Sequence, residues 1–120
     1  RQSDYPRFQD YDKHYDGYCK FFLYGDTKDK IPDNLKIFNK VGLAYGFVID
    51  NAYIIDIRNN VEFLLTAVIY SNPNETMNDD DYDYEKISIP FLAGLGRKVY
   101  ELELKRYKKV SPDLQFFKNL

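Results

Sequence analysis

Lys36 to Tyr70 reads KIFNKVGLAYGFVIDNAYIIDIRNNVEFLLTAVIY, and this stretch decides the fold. Apolar positions are dominated by β-branched and aromatic residues, from Ile37 and Phe38 through Tyr53, Ile54 and Ile55 to Val68, Ile69 and Tyr70. Such side chains suit a pleated surface better than a helix, where their χ1 freedom is lost. Three strands are predicted, over 37 to 49, 51 to 57 and 61 to 70. Arg58-Asn59-Asn60 is the break before the third, because asparagine tolerates positive φ, and it makes the last two strands an antiparallel hairpin. Asp50-Asn51 is expected to turn the chain between the first two.

Outward from this centre the pattern changes on both sides. Residues 1 to 9 contain Pro6 and no useful period, so an extended lead-in is expected. From Asp10, the series Tyr11, Tyr15, Tyr18 and Phe22 recurs at helical spacing and predicts an amphipathic helix whose tyrosines face the core, weakened by Gly17. A polar connection then runs to residue 35, so 1 to 35 is helix and linker. On the other side, 71 to 88 is an acidic loop. Ser88 is the expected N-cap of a helix over 89 to 107, with Pro90 in its first turn and Ile89, Leu92, Leu95, Val99 and Leu102 on one stripe. Gly94 and Gly96 lie inside that helix, and their expected purpose is close approach to the sheet. The tail from 108 to 120 carries Leu114, Phe116 and Phe117, which should fold back. Helix, antiparallel strands, helix is the α+β class.

The chain has 120 residues, enough for one domain, and 44% hydrophobic content with 18% aromatic closes a real core. Seventeen basic against nineteen acidic residues leave a net charge of -2, so the positive field that non-specific nucleic-acid binding needs is absent. No run reaches the 18 or so apolar residues that read as a membrane span. A single cysteine, Cys19, and a single histidine, His14, build neither an internal disulfide nor a Cys/His metal cluster. No cofactor and no metal site are expected.

The acidic run Asp79, Asp80, Asp81, Asp83 and Glu85 invites a calcium loop. Counting from Asp79, the sixth position is Tyr84 where glycine is needed and the twelfth is Pro90 where glutamate is needed, so the motif fails. Acids before the last helix and bases in its later turns instead match the helix dipole. His14 lies off the tyrosine stripe and is expected at the surface; Cys19 is expected to be a small core residue.

Asn39-Lys40-Val41-Gly42-Leu43 is the segment with chemical content. A glycine two residues after a strand lysine lets a ligand approach the backbone, and the following amide can point into a site. This K-x-G, the two strands after it and the final helix together resemble the C-terminal part of the serine β-lactamase and penicillin-binding-protein superfamily. NKVGLAYGFVIDNAYIIDIRNNVEFLLTAVIYSN is similar to the strand segment of serine hydrolases in that group, and PFLAGLGRKVYELELKRY to their closing helix, so the resemblance spans about residues 36 to 107.

The resemblance implies acyl transfer on amide or ester substrates. It makes Lys40 the motif lysine, Gly42 the clearance for substrate, and the Leu43 backbone amide one oxyanion-hole donor. It also implies an extracytoplasmic bacterial location. Val41 departs from the family, which has a hydroxyl residue there that helps hold a substrate carboxylate. The nucleophile motif S-x-x-K is missing: three residues beyond Ser3, Ser71, Ser88 and Ser111 stand Pro6, Asn74, Phe91 and Leu114. No S-D-N occurs. The family has both motifs upstream of K-x-G, in a region longer than the 39 residues present, and the chain begins at Arg1 rather than Met. The expectation is therefore a C-terminal portion, inactive alone, whose partner is the missing half or a second copy. The rival reading is a complete α+β module whose twelve tyrosines offer a glycan- or protein-binding surface.

Overall fold

A computed structural model describes residues 5–120, and its centre is a three-stranded antiparallel sheet in the order β1-β2-β3, formed by Leu35–Ala44, Phe47–Asp56 and Val61–Tyr70. The third strand has the predicted bounds. The first two differ from expectation because the turn between them is Tyr45-Gly46, not Asp50-Asn51. Both central residues have positive φ, 52° and 89°, as a two-residue hairpin turn with the right twist requires. Ala44 therefore pairs with Phe47, and Asp50 and Asn51 become the middle of β2, opposite Val41 and Lys40.

Strand alternation divides the sheet into two faces. Leu35 and Ile37 on β1, Val48, Ala52 and Ile54 on β2, and Val61 on β3 are buried on the inner face. Asp50 and Asp56 are on the same face and fully buried too. Asp56 closes the β2-β3 turn: its carboxylate accepts from the Arg58 and Asn59 amides, from Asn59 Nδ2 at 2.6 Å and Asn34 Nδ2 at 2.8 Å, and from the Tyr100 hydroxyl. Asn60, at φ 55°, supplies the left-handed residue that the sequence assigned to this turn.

The inner face is covered by α1, the single interrupted turn Phe21–Tyr24, and by the long helix α2, Ile89–Lys105. The N-terminal helix is thus short and begins eleven residues after the predicted start. Residues 10 to 20 form successive turns, with His14 N bonded to Asp10 O, Tyr18 N to Tyr15 O, and Lys20 N to Gly17 O. The tyrosine period is real, but the intervening Asp, Gly, His and Cys are weak helix formers, and aspartate offers its own side chain to the backbone. Asp16 does so at a distance, accepting from Ile31 N at 2.9 Å. Tyr18 is consequently exposed rather than core, Tyr11 donates its hydroxyl to Lys28 O, and His14 is half-buried between the Phe8 and Tyr18 rings. Pro6–Phe8 form one 3-10 turn rather than extended chain.

Helix α2 lies across α1 and along β3. Phe22, Ile54 and Leu92 meet at the centre with no solvent exposure, each stabilising the fold by about 2 kcal/mol. Arg97 locks the two helices together, with a two-pronged pair to Asp26 at 2.8 Å and a bond to Leu23 O at 2.7 Å. Ser88 is not an N-cap: it has helical dihedrals, continues a π-turn over Tyr84–Ser88, and bonds its hydroxyl to that of Ser71.

The outer face is covered at one end only. There the tail returns, burying Leu114 and setting the Phe117 ring 5.9 Å from both Phe38 and Tyr53, while Phe116 points out. Toward the Tyr45-Gly46 turn Phe47, Val68 and Tyr70 are left exposed, and so is Leu64 on the outermost strand, opposite Tyr53.

Candidate functional site

β1 is an edge strand, and its backbone bonds decide what it can present. Ile57 N bonds to Asn34 O, which extends the β1-β2 ladder and shows that even-numbered residues of β1 bond to β2. By strict alternation the odd residues, Val41 and Leu43 among them, turn their N–H and C=O groups to the open edge. Lys40 confirms the direction: its side chain bends to the edge and donates to Val41 O at 2.7 Å. Leu43 is half-exposed and its amide faces outward. Gly42 pairs with Ile49, whose Cγ2 would lie 2.9 Å from an added Cβ, so the glycine clears a close packing contact with the neighbouring strand.

Beside this edge runs a cleft of about 510 Å³. It is lined by Asn39, Lys40 and Val41 of β1, by Tyr18, Cys19 and Lys20 of the turns before α1, and by Tyr5, Arg7 and Phe8 near the N-terminus. The structure thus brings Lys40 and Val41 into a cavity and leaves Gly42 and Leu43 just beyond it on the same edge. Val41 is half-buried and joins the core cluster.

Asn39 joins β1 to the turns before α1. Its Nδ2 donates to Cys19 O at 2.7 Å and to Asp50 Oδ1 at 2.9 Å, while its Oδ1 accepts from Lys20 Nζ at 2.8 Å. The other Asp50 oxygen accepts from Phe22 N at 3.1 Å. Burial pushes the Asp50 carboxyl above its ordinary value and outweighs the hydrogen bonds from Asn39 and from the Phe22 and Phe21 amides. Burial likewise lowers the Lys20 ammonium, against the pull of the Asp50 charge. Cys19, in a left-handed conformation at φ 56°, has its thiol pushed up by burial, the opposite direction to that which favours a thiolate.

Arg7, Lys20 and Lys40 all border the cleft, and none has a carboxylate within ion-pair distance among the described residues. What the arrangement offers is positive charge, aromatic walls and an edge amide. Among the described residues it offers no serine: Ser71 and Ser88 bury their hydroxyls against one another and Ser111 is exposed in the tail, while Ser3 lies outside the described residues. The acidic run folds on itself, with Asp79 accepting from Asn74 Nδ2 at 2.7 Å and from the Asp81 amide.

Sequence reasoning missed Arg7, Lys20, Asn39 and Asp50. The first two lie in turns where the sequence pattern predicts lead-in and helix. The one available signal for the others was an aspartate at an inward position of an otherwise apolar strand, which demands a buried partner. Comparison with family models, with curated proteins and with solved structures yields no match.

Proposed function

We propose that this chain is the C-terminal portion of a serine hydrolase of the β-lactamase and penicillin-binding-protein kind, acting on amide or ester substrates by acyl transfer, with the nucleophile supplied from outside these 120 residues. One observation carries the reading: Lys40-Val41-Gly42-Leu43 runs along the open edge of a β1-β2-β3 meander, with the Leu43 amide turned away from β2 and a helical layer behind the sheet. In these roles Lys40 supplies positive field and supports proton transfer, Gly42 keeps the strand surface low, and the Leu43 N–H donates to the developing oxyanion. The chain alone has no activity.

The test is kinetic. In a protein that carries the upstream residues, Lys40→Ala should lower turnover of an activated ester about 100-fold, the scale for loss of one preorganised electrostatic group. Unchanged turnover rejects the assignment. The isolated chain should resist covalent labelling by a fluorophosphonate, and a labelled serine would show that the nucleophile is internal.

A second reading, a non-catalytic module that binds an anionic glycan or a protein, is favoured by the Tyr5, Phe8 and Tyr18 rings beside Arg7, Lys20 and Lys40 in the cleft. Saturable binding of a sulfated or uronic-acid oligosaccharide to the isolated chain, lost in Lys20→Ala, would move the conclusion to this module.

A further inference from the structure

The two edges of the sheet are defended unequally. β1 carries Lys36 and Lys40, its Val41 carbonyl is capped by Lys40, and the turns around Cys19 and Lys20 close against Asn39. These are the devices by which natural sheets avoid edge pairing. β3, VEFLLTAVIY, has ten residues, no proline, no lysine or arginine, and one charge, Glu62.

Backbone accounting identifies which groups of β3 are open. Ser71 N bonds to Gly46 O, which extends the β2-β3 ladder and assigns its bonds to the odd residues of β3. Glu62, Leu64, Thr66, Val68 and Tyr70 therefore turn their N–H and C=O groups to the open edge. None of these backbone groups meets another partner among the described residues. Along that edge Leu64, at 77%, and Val68, at 58%, are exposed apolar side chains, with Thr66 exposed between them and Glu62 half-buried at the end.

We propose that β3 docks antiparallel against β3 of a second copy of this chain, with Thr66 facing Thr66 across a two-fold axis and the two sheets joined into one of six strands. The sequence of the strand selects this occupant and this register. Thr66 is the midpoint of the five open residues, so centring the axis there lets all five pair, Glu62 with Tyr70 and Leu64 with Val68 of the second copy. The only charge then meets a tyrosine rather than its own like charge, which directly opposed would be repulsive. On the inner face the same register sets Phe63 opposite Ile69 and Leu65 opposite Ala67. Apolar residues thus meet apolar residues at the Phe63–Ile69 and Leu65–Ala67 pairs of the inner face and at the Leu64–Val68 pairs of the outer face. A two-fold, self-complementary pairing closes at two copies and leaves no β3 edge open. It also leaves the β1 edge and its cleft accessible.

Sedimentation velocity and equilibrium on the 120-residue chain test this. The chain should be dimeric at about 100 μM, in the range of ordinary specific association. Thr66 is exposed, its N–H takes no part in the β2-β3 ladder, and its side chain makes one surface bond, from its hydroxyl to Asn51 Oδ1, so Thr66→Lys and Thr66→Glu should keep the monomer's circular dichroism, with at most a small drop in melting temperature, while opposing like charges at the axis. Each should weaken dimerisation at least about tenfold, and an equimolar mixture of the two should restore a dimer of one copy of each. A monomer at about 1 mM, where even weak specific pairs populate, would overturn the proposal. So would species larger than a dimer, a wild-type dimer that both variants retain, or a mixture no stronger than its components.

Discussion

Asn39 on β1 donates its side-chain amide to Asp50 on β2 at 2.9 Å, and through the same side chain it accepts from Lys20 at 2.8 Å. A fully buried carboxylate and a half-buried ammonium are therefore joined by a neutral amide rather than in direct contact. Such a bridge satisfies both charges while keeping the cleft wall fixed to the sheet. Removing one member of a buried polar network leaves the others with the full cost of desolvation. Asn39→Ala is expected to destabilise the fold by about 2–3 kcal/mol, and Asp50→Asn, which keeps an acceptor for Phe22 N, by about 1 kcal/mol or less. Urea denaturation followed by circular dichroism measures both. Equal losses in the two variants would mean that the bridge carries no special weight.

Asp50 and Asp56 sit on one face of one strand and should give opposite pH signatures. Asp50 is raised by burial, so the folded state holds its proton more tightly than the unfolded chain; its contribution is favourable at low pH and is lost as pH rises from about 4 through the folded value. For Asp56, burial acts upward as well, but the hydrogen bonds from Tyr100, Asn59 and Asn34 outweigh it and hold the carboxyl below its ordinary value. Its stabilisation is present above about pH 4 and disappears as pH falls through the folded value. Urea midpoints taken from about pH 2.5 to about pH 7 should show Asp56→Asn flattening the acid limb and Asp50→Asn removing a decline above about pH 4. The same slope change in both variants would contradict the assignment.

What the sequence made legible follows from how local each signal is. β3 and α2 were readable because β-branched runs, Asn59-Asn60 and Pro90 act within a few residues of themselves. The β1-β2 turn was not, since Tyr45 is an unusual choice for positive φ and Asp50-Asn51 imitates a turn that tertiary burial overrides. The tyrosine series at 11, 15 and 18 satisfied a helical period, yet Gly17 sits where an added Cβ would lie 2.3 Å from Tyr24 O, a contact that only the folded chain reveals. For the site, Lys40, Gly42 and Leu43 could be picked from one strand. Arg7 and Lys20 could not be joined to them, because their proximity depends on a long-range fold-back.

The Tyr45-Gly46 turn offers a sharp contrast between its two positions. Tyr45 holds a left-handed conformation without glycine's freedom, so Tyr45→Asn is expected to stabilise by about 0.5–1 kcal/mol. Gly46 has φ 89°, and a Cβ there would meet Asn72 Cβ at 2.5 Å. Gly46→Ala should therefore cost at least about 1–2 kcal/mol, combining strain with a clash. Thermal melts of the two single variants should shift in opposite directions. A shift of the same sign in both would show that the turn conformation is not what limits stability here.

Gly94 and Gly96 form the second matched pair, two residues apart on α2 and facing different surroundings. The sequence predicts close approach to the sheet for both, and neither makes it; Gly96 instead approaches another helix, where an added Cβ would lie 2.7 Å from Leu23 N and 2.8 Å from Phe22 Cβ. The neighbour is α1 rather than the sheet, and it is largely backbone that cannot turn aside. Around Gly94 nothing lies within 4 Å. Gly94→Ala should then gain the helix-propensity difference, about 0.5–1 kcal/mol. Gly96→Ala gains the same propensity but must push α2 off α1, against the core contacts of Phe22 and Leu92 and the Arg97 bond to Leu23 O, so a net loss of about 1–3 kcal/mol is expected. Denaturant midpoints of the two variants measured side by side decide it. Stabilisation by Gly96→Ala would mean that the helix can lift from α1 at little cost, and the close contact between the two elements would have to be reconsidered.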